Sequence, residues 1–391
     1  MTIYVIWCAS APRTWVVFGS QGGRESATNL FQMAVFPMGV DHAIDDKITC
    51  LIDSSISLGL FPGAVWLVEE RGRVVSRGQV GLAQRVPSRK PMRRKSIFDV
   101  ASLTKPVCTA TIGLKMWEWG ELSPDEPVGR HLPEFSGGWR DGVTVGQVLS
   151  HSSGLPSGLP IPKLCKDPSQ VLDCICRTEM VYVPGSRTLY SDVGFMLLGK
   201  LLERVSGQAL DTLGRRIVFE PLRMDRTMYR PPRRLRPEIV ATERSRTGRT
   251  ALVGVVHDAS ARFMGGASGH AGLFSCVDDL AKFCRMMLGK GQTFLSRQTI
   301  EKATSILADD GANAYGLGWF KRRSPDDPAS KHFSKSAYGH TGYTGTSIWI
   351  DPARDFFALL LTNRVHNQSD ASRIPEMNRT RRRFHDMALG H

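Results

Sequence analysis

The chain has 391 residues, of which 41% are hydrophobic and 23% charged, and its 51 lysines and arginines against 37 aspartates and glutamates give a formal charge of +14. That length and apolar content can bury a sizeable core and point to a soluble globular protein, while the lack of any apolar run approaching about 18 residues excludes a membrane-spanning helix. Eight cysteines without regular spacing fit a reducing compartment better than a disulfide framework.

In chain order, residues 1–41 read as a poorly ordered N-terminal extension, with Met33 and Met38 as further candidate starts. The apolar run in MTIYVIWCAS has no basic residue ahead of it, and Trp7-Cys8 is not a lipoprotein cleavage box. No signal peptide is read, and the expected location is cytoplasmic, with a periplasmic or extracellular one as the alternative. Asp41 to Leu60 predicts an amphipathic helix ahead of a Pro62-Gly63 turn, and GAVWLVEERGRVVSRGQVGLA predicts two strands joined at Glu70-Arg71-Gly72. Residues 103 to about 285 predict an all-helical region with long loops. From His340, HTGYTGTSIWIDPARDFFALLLTN predicts a hairpin, with a Gly-rich strand, a turn at Asp351-Pro352 and Arg354-Asp355, and a second apolar strand. Ile374 to Met387 predicts a helix closing over the sheet. The expected fold class is α+β: an antiparallel sheet flanked by helices, with the helical region inserted between its N- and C-terminal strands. One main domain spans 42–370, followed by a helix and basic tail over 371–391.

The chemistry-bearing pattern starts at Ser102 and Lys105 in FDVASLTKPVCTATIGLKMWEWGEL. Residues three apart on a helix share a face, so the lysine amine can reach the serine hydroxyl. A serine is a poor nucleophile without such a base or relay beside it. Pro106 suits a helical first turn, whose free N–H groups favour the negative charge of an attacked carbonyl. One such pair arises by chance in most chains, but two further motifs follow in order. Tyr190-Ser191-Asp192 lies between a Pro184-Gly185 turn and the helical VGFMLLGKLLERVSG, and His340-Thr341-Gly342 opens the predicted hairpin.

This set resembles the β-lactamase-related serine hydrolases, a superfamily of class C β-lactamases, penicillin-binding proteins, D-Ala-D-Ala carboxypeptidases and esterases. LPEF (Leu132 to Phe135), VTVGQVLSHSSGLP (Val143 to Pro156), FEPLRMDRTMY (Phe219 to Tyr229), GHAGLFSCVDDLAKF (Gly269 to Phe283) and YGLGWF (Tyr315 to Phe320) are similar to the same branch, extending the resemblance from about residue 42 to 367. The resemblance implies Ser102 as the acylated nucleophile, Lys105 as proton acceptor or relay and Tyr190 as a partner in the general base. The backbone N–H groups of Ser102 and Tyr343 would form the oxyanion hole. Thr341 and Gly342 would lie along the substrate, with His340 orienting it and sharing the proton network, and His270 bordering the pocket.

Two positions depart from the commoner pattern. Asp192 stands where many relatives have asparagine; it would raise the Lys105 pKa, move the base role toward Tyr190 and repel an anionic substrate. His340 replaces a lysine, so a fixed positive charge gives way to a group only fractionally charged near neutrality. Together they favour an esterase or amidase on small or peptidoglycan-like substrates. The alternatives are a β-lactamase or D-Ala-D-Ala carboxypeptidase, and a catalytically weak penicillin-binding-type protein.

No G-x-S-x-G elbow, H-E-x-x-H or paired C-x-x-C occurs, and Cys174 and Cys176 in DCIC are too close for structural zinc, so neither metal nor cofactor is expected. His151 and His257 read as loop-fixing residues. The arginines between residues 214 and 250 and those in RTRRRFH raise nucleic-acid binding, but prolines and acidic residues interrupt them and no binding motif accompanies them. Nucleic acid is therefore not the expected partner. The expected partner is a small ester, amide or peptidoglycan-like substrate, with the oligomeric state left open.

Overall fold

Along Gly63–Glu70, Ala64, Trp66 and Val68 face one side and Val65 and Leu67 the other, and all five are buried. A strand with both alternating sets buried needs cover on both faces of its sheet. The computed structural model describes Tyr4–Ile6, Val16–Phe18 and residues 42–391 other than 246, 291–293, 325–326 and 368–369. The chain forms two units, Met1–Val40 and Asp41–His391. In the first, Tyr4–Ile6 pairs antiparallel with Val16–Phe18; the remainder of the expected extension lies outside the described residues.

In the second unit, helix α1 (His42–Ser57) precedes β1 (Gly63–Glu70) and β2 (Arg73–Gln84). Arg71 and Gly72 both have positive φ, the geometry of a tight two-residue hairpin loop, where the sequence placed the turn. The sheet continues with β3 (Lys90–Pro91), β4 (Ala308–Asp309), β5 (Ala314–Tyr315), β6 (Phe320–Lys321), β7 (Tyr338–Thr341), β8 (Ser347–Asp351) and β9 (Phe356–Thr362). The nine strands lie in the order β3-β2-β1-β9-β8-β7-β6-β5-β4, all antiparallel. Chain-distant β1 and β9 pair at the centre, from Ala64 opposite Thr362 to Glu70 opposite Phe356.

One sheet face is covered by α1 and by α5 (Ile374–Ala388), which bring Ile48, Leu51, Ile52, Met377 and Phe384 against Trp66, Trp349, Phe356 and Leu360. Val65, Leu67, Ile348, Ile350 and Leu359 face the larger core shared with the inserted helices. Among these are α2 (Thr111–Glu118), α3 (Asp192–Ser206) and α4 (Val277–Met287).

Two expectations are corrected. The inserted region is not all helical: Met228–Tyr229 and Leu273–Ser275 build a small sheet with Phe98–Asp99. These pairings satisfy buried backbone groups ahead of Ser102, and two- or three-residue strands are too short to show a period. The stretch from His340 to Asp351 is two strands, β7 and β8, folded about residues 342–346, where Gly345 has φ 104°. Only glycine adopts that conformation without strain.

Candidate active site

The turn presenting Ser102 is tied down from several sides. The buried Asp99 carboxylate accepts the Ala101 N–H at 2.9 Å and the His257 N–H at 2.7 Å. Ala101 takes φ 49°, a left-handed conformation unusual for a residue with a Cβ. Ser102 thereby stands partly exposed between buried neighbours. The anticipated regular helix start is absent: a 3-10 turn, Ala101–Leu103, and a π-helical stretch, Lys105–Ala110, precede α2. Pro106 has no N–H for the α-helical ladder, and the Thr111 hydroxyl bonds its carbonyl at 2.7 Å.

Lys105 is completely buried, and each ammonium hydrogen has an acceptor: Ser102 Oγ at 3.1 Å, Asp192 Oδ1 at 2.6 Å and the His270 carbonyl at 3.1 Å. Burial pushes the lysine pKa down, but the Asp192 and Tyr190 interactions outweigh it and the pKa ends above its ordinary value. Burial likewise opposes ionisation of Asp192, yet the Lys105 and His270 charges hold its carboxyl below the usual range. The resting site contains an ammonium and a carboxylate.

Tyr190 lies beside both Ser102 and Lys105: the Lys105 ammonium is 4.8 Å from its ring centroid, and Tyr190 lines the same cavity as Ser102. Burial raises its pKa, against the pull of Lys105, so the neutral phenol is the resting form. Its position is set by His151, whose ring lies 4.7 Å from the tyrosine ring and whose Nδ1 accepts the Ser191 N–H at 3.0 Å. His151 is fully buried, and burial first, then the Lys105 charge, holds its pKa well below the usual range. Ser191 caps α3, accepting the Gly194 N–H at 2.9 Å and donating to the Pro156 carbonyl at 2.7 Å. A loop histidine and a helix cap together immobilise the tyrosine.

Opposite, the turn after β7 is clamped. Thr344 and Thr346 donate to the Asp99 and Val100 carbonyls at 2.8 and 3.0 Å, joining this turn to the one that carries Ser102. Arg381 donates to the Gly342 and Thr346 carbonyls at 2.9 and 3.0 Å, and Arg364 to the Tyr343 carbonyl at 3.1 and 2.9 Å. The Tyr343 ring contacts the Arg364 guanidinium, 4.5 Å from its centroid, and stacks with the His257 ring at 5.7 Å.

A cavity of about 240 Å³ opens between the two turns. Ser102, Tyr190, Thr341, Gly342 and Tyr343 line it, together with Phe320, Arg364, Asn378 and Arg381, which sequence reasoning missed. Met377, Arg381, Phe384 and Ala388 are buried at helical spacing on α5, so the available signal was an arginine on an apolar stripe.

Three candidates do not line the cavity. His340 is fully buried and stacks on Phe320 at 4.2 Å, with Nδ1 against the Thr341 carbonyl at 2.9 Å. Burial and the Lys105 charge hold it well below its usual pKa, so it is neutral, not fractionally charged, and it does not line the cavity. His270 does not border the cavity either. It is 1% exposed, its ring bridges Ser268 and Asp258 at 2.8 and 2.9 Å, and its carbonyl serves Lys105. Asp192 also lies off the cavity wall, its charge directed at Lys105.

Among the described residues no group of three or more His, Cys, Asp or Glu is placed to hold a metal, and no helix is long and apolar enough to cross a membrane.

The Beta-lactamase family profile matches residues 53–381, and the chain belongs to that family. It is 33% identical over 359 residues to the N-acetylmuramyl-L-alanine amidase of Bacillus subtilis strain 168, covering 82% of this chain and 81% of that protein. It is 31% identical over 369 residues to a putative D-alanyl-D-alanine carboxypeptidase of Escherichia coli K12, covering 83% and 84%. In fold it is similar to EstCE1, a hydrolase with promiscuous acyltransferase activity, with a TM-score of 0.73 at 21% identity over 88% of this chain and 99% of that one. Fold and relatives together are those of a hydrolase of the β-lactamase and transpeptidase type.

Proposed function

Starting from that family membership, we propose that the protein is a serine hydrolase acting through a covalent acyl-enzyme on an amide or ester that carries a carboxylate near the scissile bond, as a D-aminoacyl peptide does. The observation that carries the substrate class is the pair of buried guanidiniums, Arg364 and Arg381, on the wall of the Ser102 cavity. Their bonds go to carbonyls and to the Asn378 amide, and neither forms a salt bridge among the described residues. Burial, then the neighbouring Arg364 charge, pulls the Arg381 pKa down to about 9, and its Nε is buried without a partner among the described residues. Unpaired buried cations are unfavourable until an anion arrives. They supply the positive charge that His340 lacks.

In the reaction, Ser102 Oγ attacks the carbonyl carbon as its proton passes to the Lys105 and Tyr190 pair. At rest Lys105 is the ammonium and Tyr190 the phenol, so the pair first releases one proton to solvent; Tyr190 then accepts the serine proton as a phenolate stabilised by the adjacent ammonium. The Ser102 and Tyr343 amides face the carbonyl oxygen as it gains charge, a donor type worth about 3 kcal/mol. The tetrahedral intermediate collapses, and the C–N or C–O bond breaks as the leaving group takes the proton from Tyr190. Water then attacks the acyl ester, giving up a proton by the same route, and releases the acid and free Ser102.

Intact mass spectrometry after exposure to a fluorophosphonate tests the nucleophile. One adduct on wild type and none on Ser102→Ala is expected; no adduct on wild type overturns the hydrolase mechanism. Turnover of an acyl-D-alanyl-D-alanine against its C-terminal amide tests the carboxylate. A preference for the free acid, lost in Arg381→Gln, is expected, and equal turnover of both overturns the substrate class.

A further inference from the structure

A second cavity, of about 250 Å³, shares no lining residue with the first. Gly59, Arg85, Arg244, Asn367 and Arg373 form its wall, so three guanidiniums from separate segments converge on one small volume. Their counter-charge is incomplete. Arg373 pairs with Glu376 at 2.8 Å, while Arg85 and Arg244 make no salt bridge among the described residues. Arg244 donates to the Asn367 carbonyl at 2.5 Å. The adjacent His366 ring adds no charge, since its Nε2 accepts the Arg85 N–H at 2.8 Å and Nδ1 faces the Thr242 carbonyl at 2.7 Å. Burial, with the Arg244 and Arg85 charges beside it, holds that ring below the usual histidine range.

An independent observation concerns Asn367. Its side chain is buried, and Nδ2 donates to the Gly59 carbonyl at 2.9 Å, which sets the amide orientation. Oδ1 is buried with no hydrogen-bond partner among the described residues. Buried acceptors are normally satisfied, and one on the wall of a cavity is satisfied by a donor on whatever fills it. The cations call for an oxyanion, and the amide oxygen calls for an O–H on the same ligand. Hydrogen phosphate, which keeps one P–OH at neutral pH, meets both demands; so does the phosphate of a hydroxyl-bearing monoester.

We propose that this cavity is a binding site for hydrogen phosphate or a small phosphate monoester, held by Arg85, Arg244 and Arg373 with its O–H donated to Asn367 Oδ1. The site is separate from the hydrolytic one, and its occupancy does not depend on what Ser102 does.

Isothermal titration calorimetry of the full chain at neutral pH tests this with inorganic phosphate, glycerol phosphate and sulfate at matched ionic strength. One saturable phosphate site is expected, with sulfate, which has no proton to donate, at least about tenfold weaker. Tighter binding of glycerol phosphate than of inorganic phosphate assigns a monoester as the ligand, and the reverse assigns the free ion. Arg85→Gln and Arg244→Gln should each weaken phosphate by about tenfold. Both side chains are exposed, so the variants should melt like wild type and turn over an aryl ester normally. Absence of saturable binding, undiminished binding in both variants, or sulfate bound as tightly as phosphate would overturn the proposal.

Discussion

Replacing Asp192 by asparagine removes the charge that holds Lys105 as an ammonium. The two groups are 2.6 Å apart, and at an effective dielectric constant of about 20 unit charges at that distance attract by roughly 6 kcal/mol. The Asp192 side chain is 34% exposed, so solvent screening reduces the effective term to about 2–3 kcal/mol. The Lys105 pKa should therefore fall in Asp192→Asn. A larger share of Lys105 is then the free amine at any given pH and can take the serine proton directly. The assay is stopped-flow acylation by a short-chain aryl ester from about pH 6 to 10, with the rising limb moving to lower pH and the rate at pH 7 increasing about tenfold. A limb that stays in place or moves up would refute the assignment of Asp192 as the group that charges Lys105. Stability supplies an independent sign check. The folded Asp192 pKa is lowered, so its contribution is present above the ordinary value of 3.8 and is lost as pH falls through the lower folded value. Asp192→Asn should lack that part of the acid loss.

Lys321 is buried on β6 and donates to the Ser336 carbonyl at 3.0 Å; burial lowers its pKa to about 8, against the pull of Asp351. The folded state then binds fewer protons than the unfolded state between about pH 8 and 10.5, so stability should rise with pH across that window. Lys321→Met should abolish the rise and stabilise the protein at pH 7 by about 1–3 kcal/mol, read from thermal melts at both ends of the window. His151→Ala should lower kcat about tenfold or more with little change in KM, because Tyr190 loses its support while the substrate wall remains; an unchanged kcat would show that the helix cap suffices. In Gly269→Ala the new methyl would strike the Phe195 carbonyl. The resulting overpacking should destabilise the protein by about 3 kcal/mol in urea unfolding.

Much of the site was legible because its chemistry is local. Ser102 and Lys105 lie three residues apart, so spacing implied that they share a face, while the family resemblance brought in Tyr190 and Asp192, which sit where an apolar helical run begins. The α1 helix, the β1 and β2 hairpin with its loop at Arg71-Gly72, and the closing helix were equally readable. Each is long, strongly periodic and bounded by turn residues. Difficulty began where neighbours come from afar. The left-handed Ala101 and the fold at Gly345 lie in two turns joined by bonds from Thr344 and Thr346 to the Asp99 and Val100 carbonyls, across more than 240 residues of chain.

Charge was the least legible property, since burial decides it. His340 looked half-charged from its unperturbed pKa, but enclosure beside Phe320 and Lys105 makes it neutral. Arg381 looked like one of a solvated run, but α5 turns it inward onto the cavity beside Ser102. By itself, the sequence determined the fold class, the order of the long elements and the pairing of Ser102 with Lys105, because periodicity and short spacings are properties of contiguous residues. Only the tertiary structure decided which cations face the cavity beside Ser102 and which histidines stay uncharged. Desolvation and Coulomb fields depend on what the folded chain places within a few ångströms, however distant in sequence.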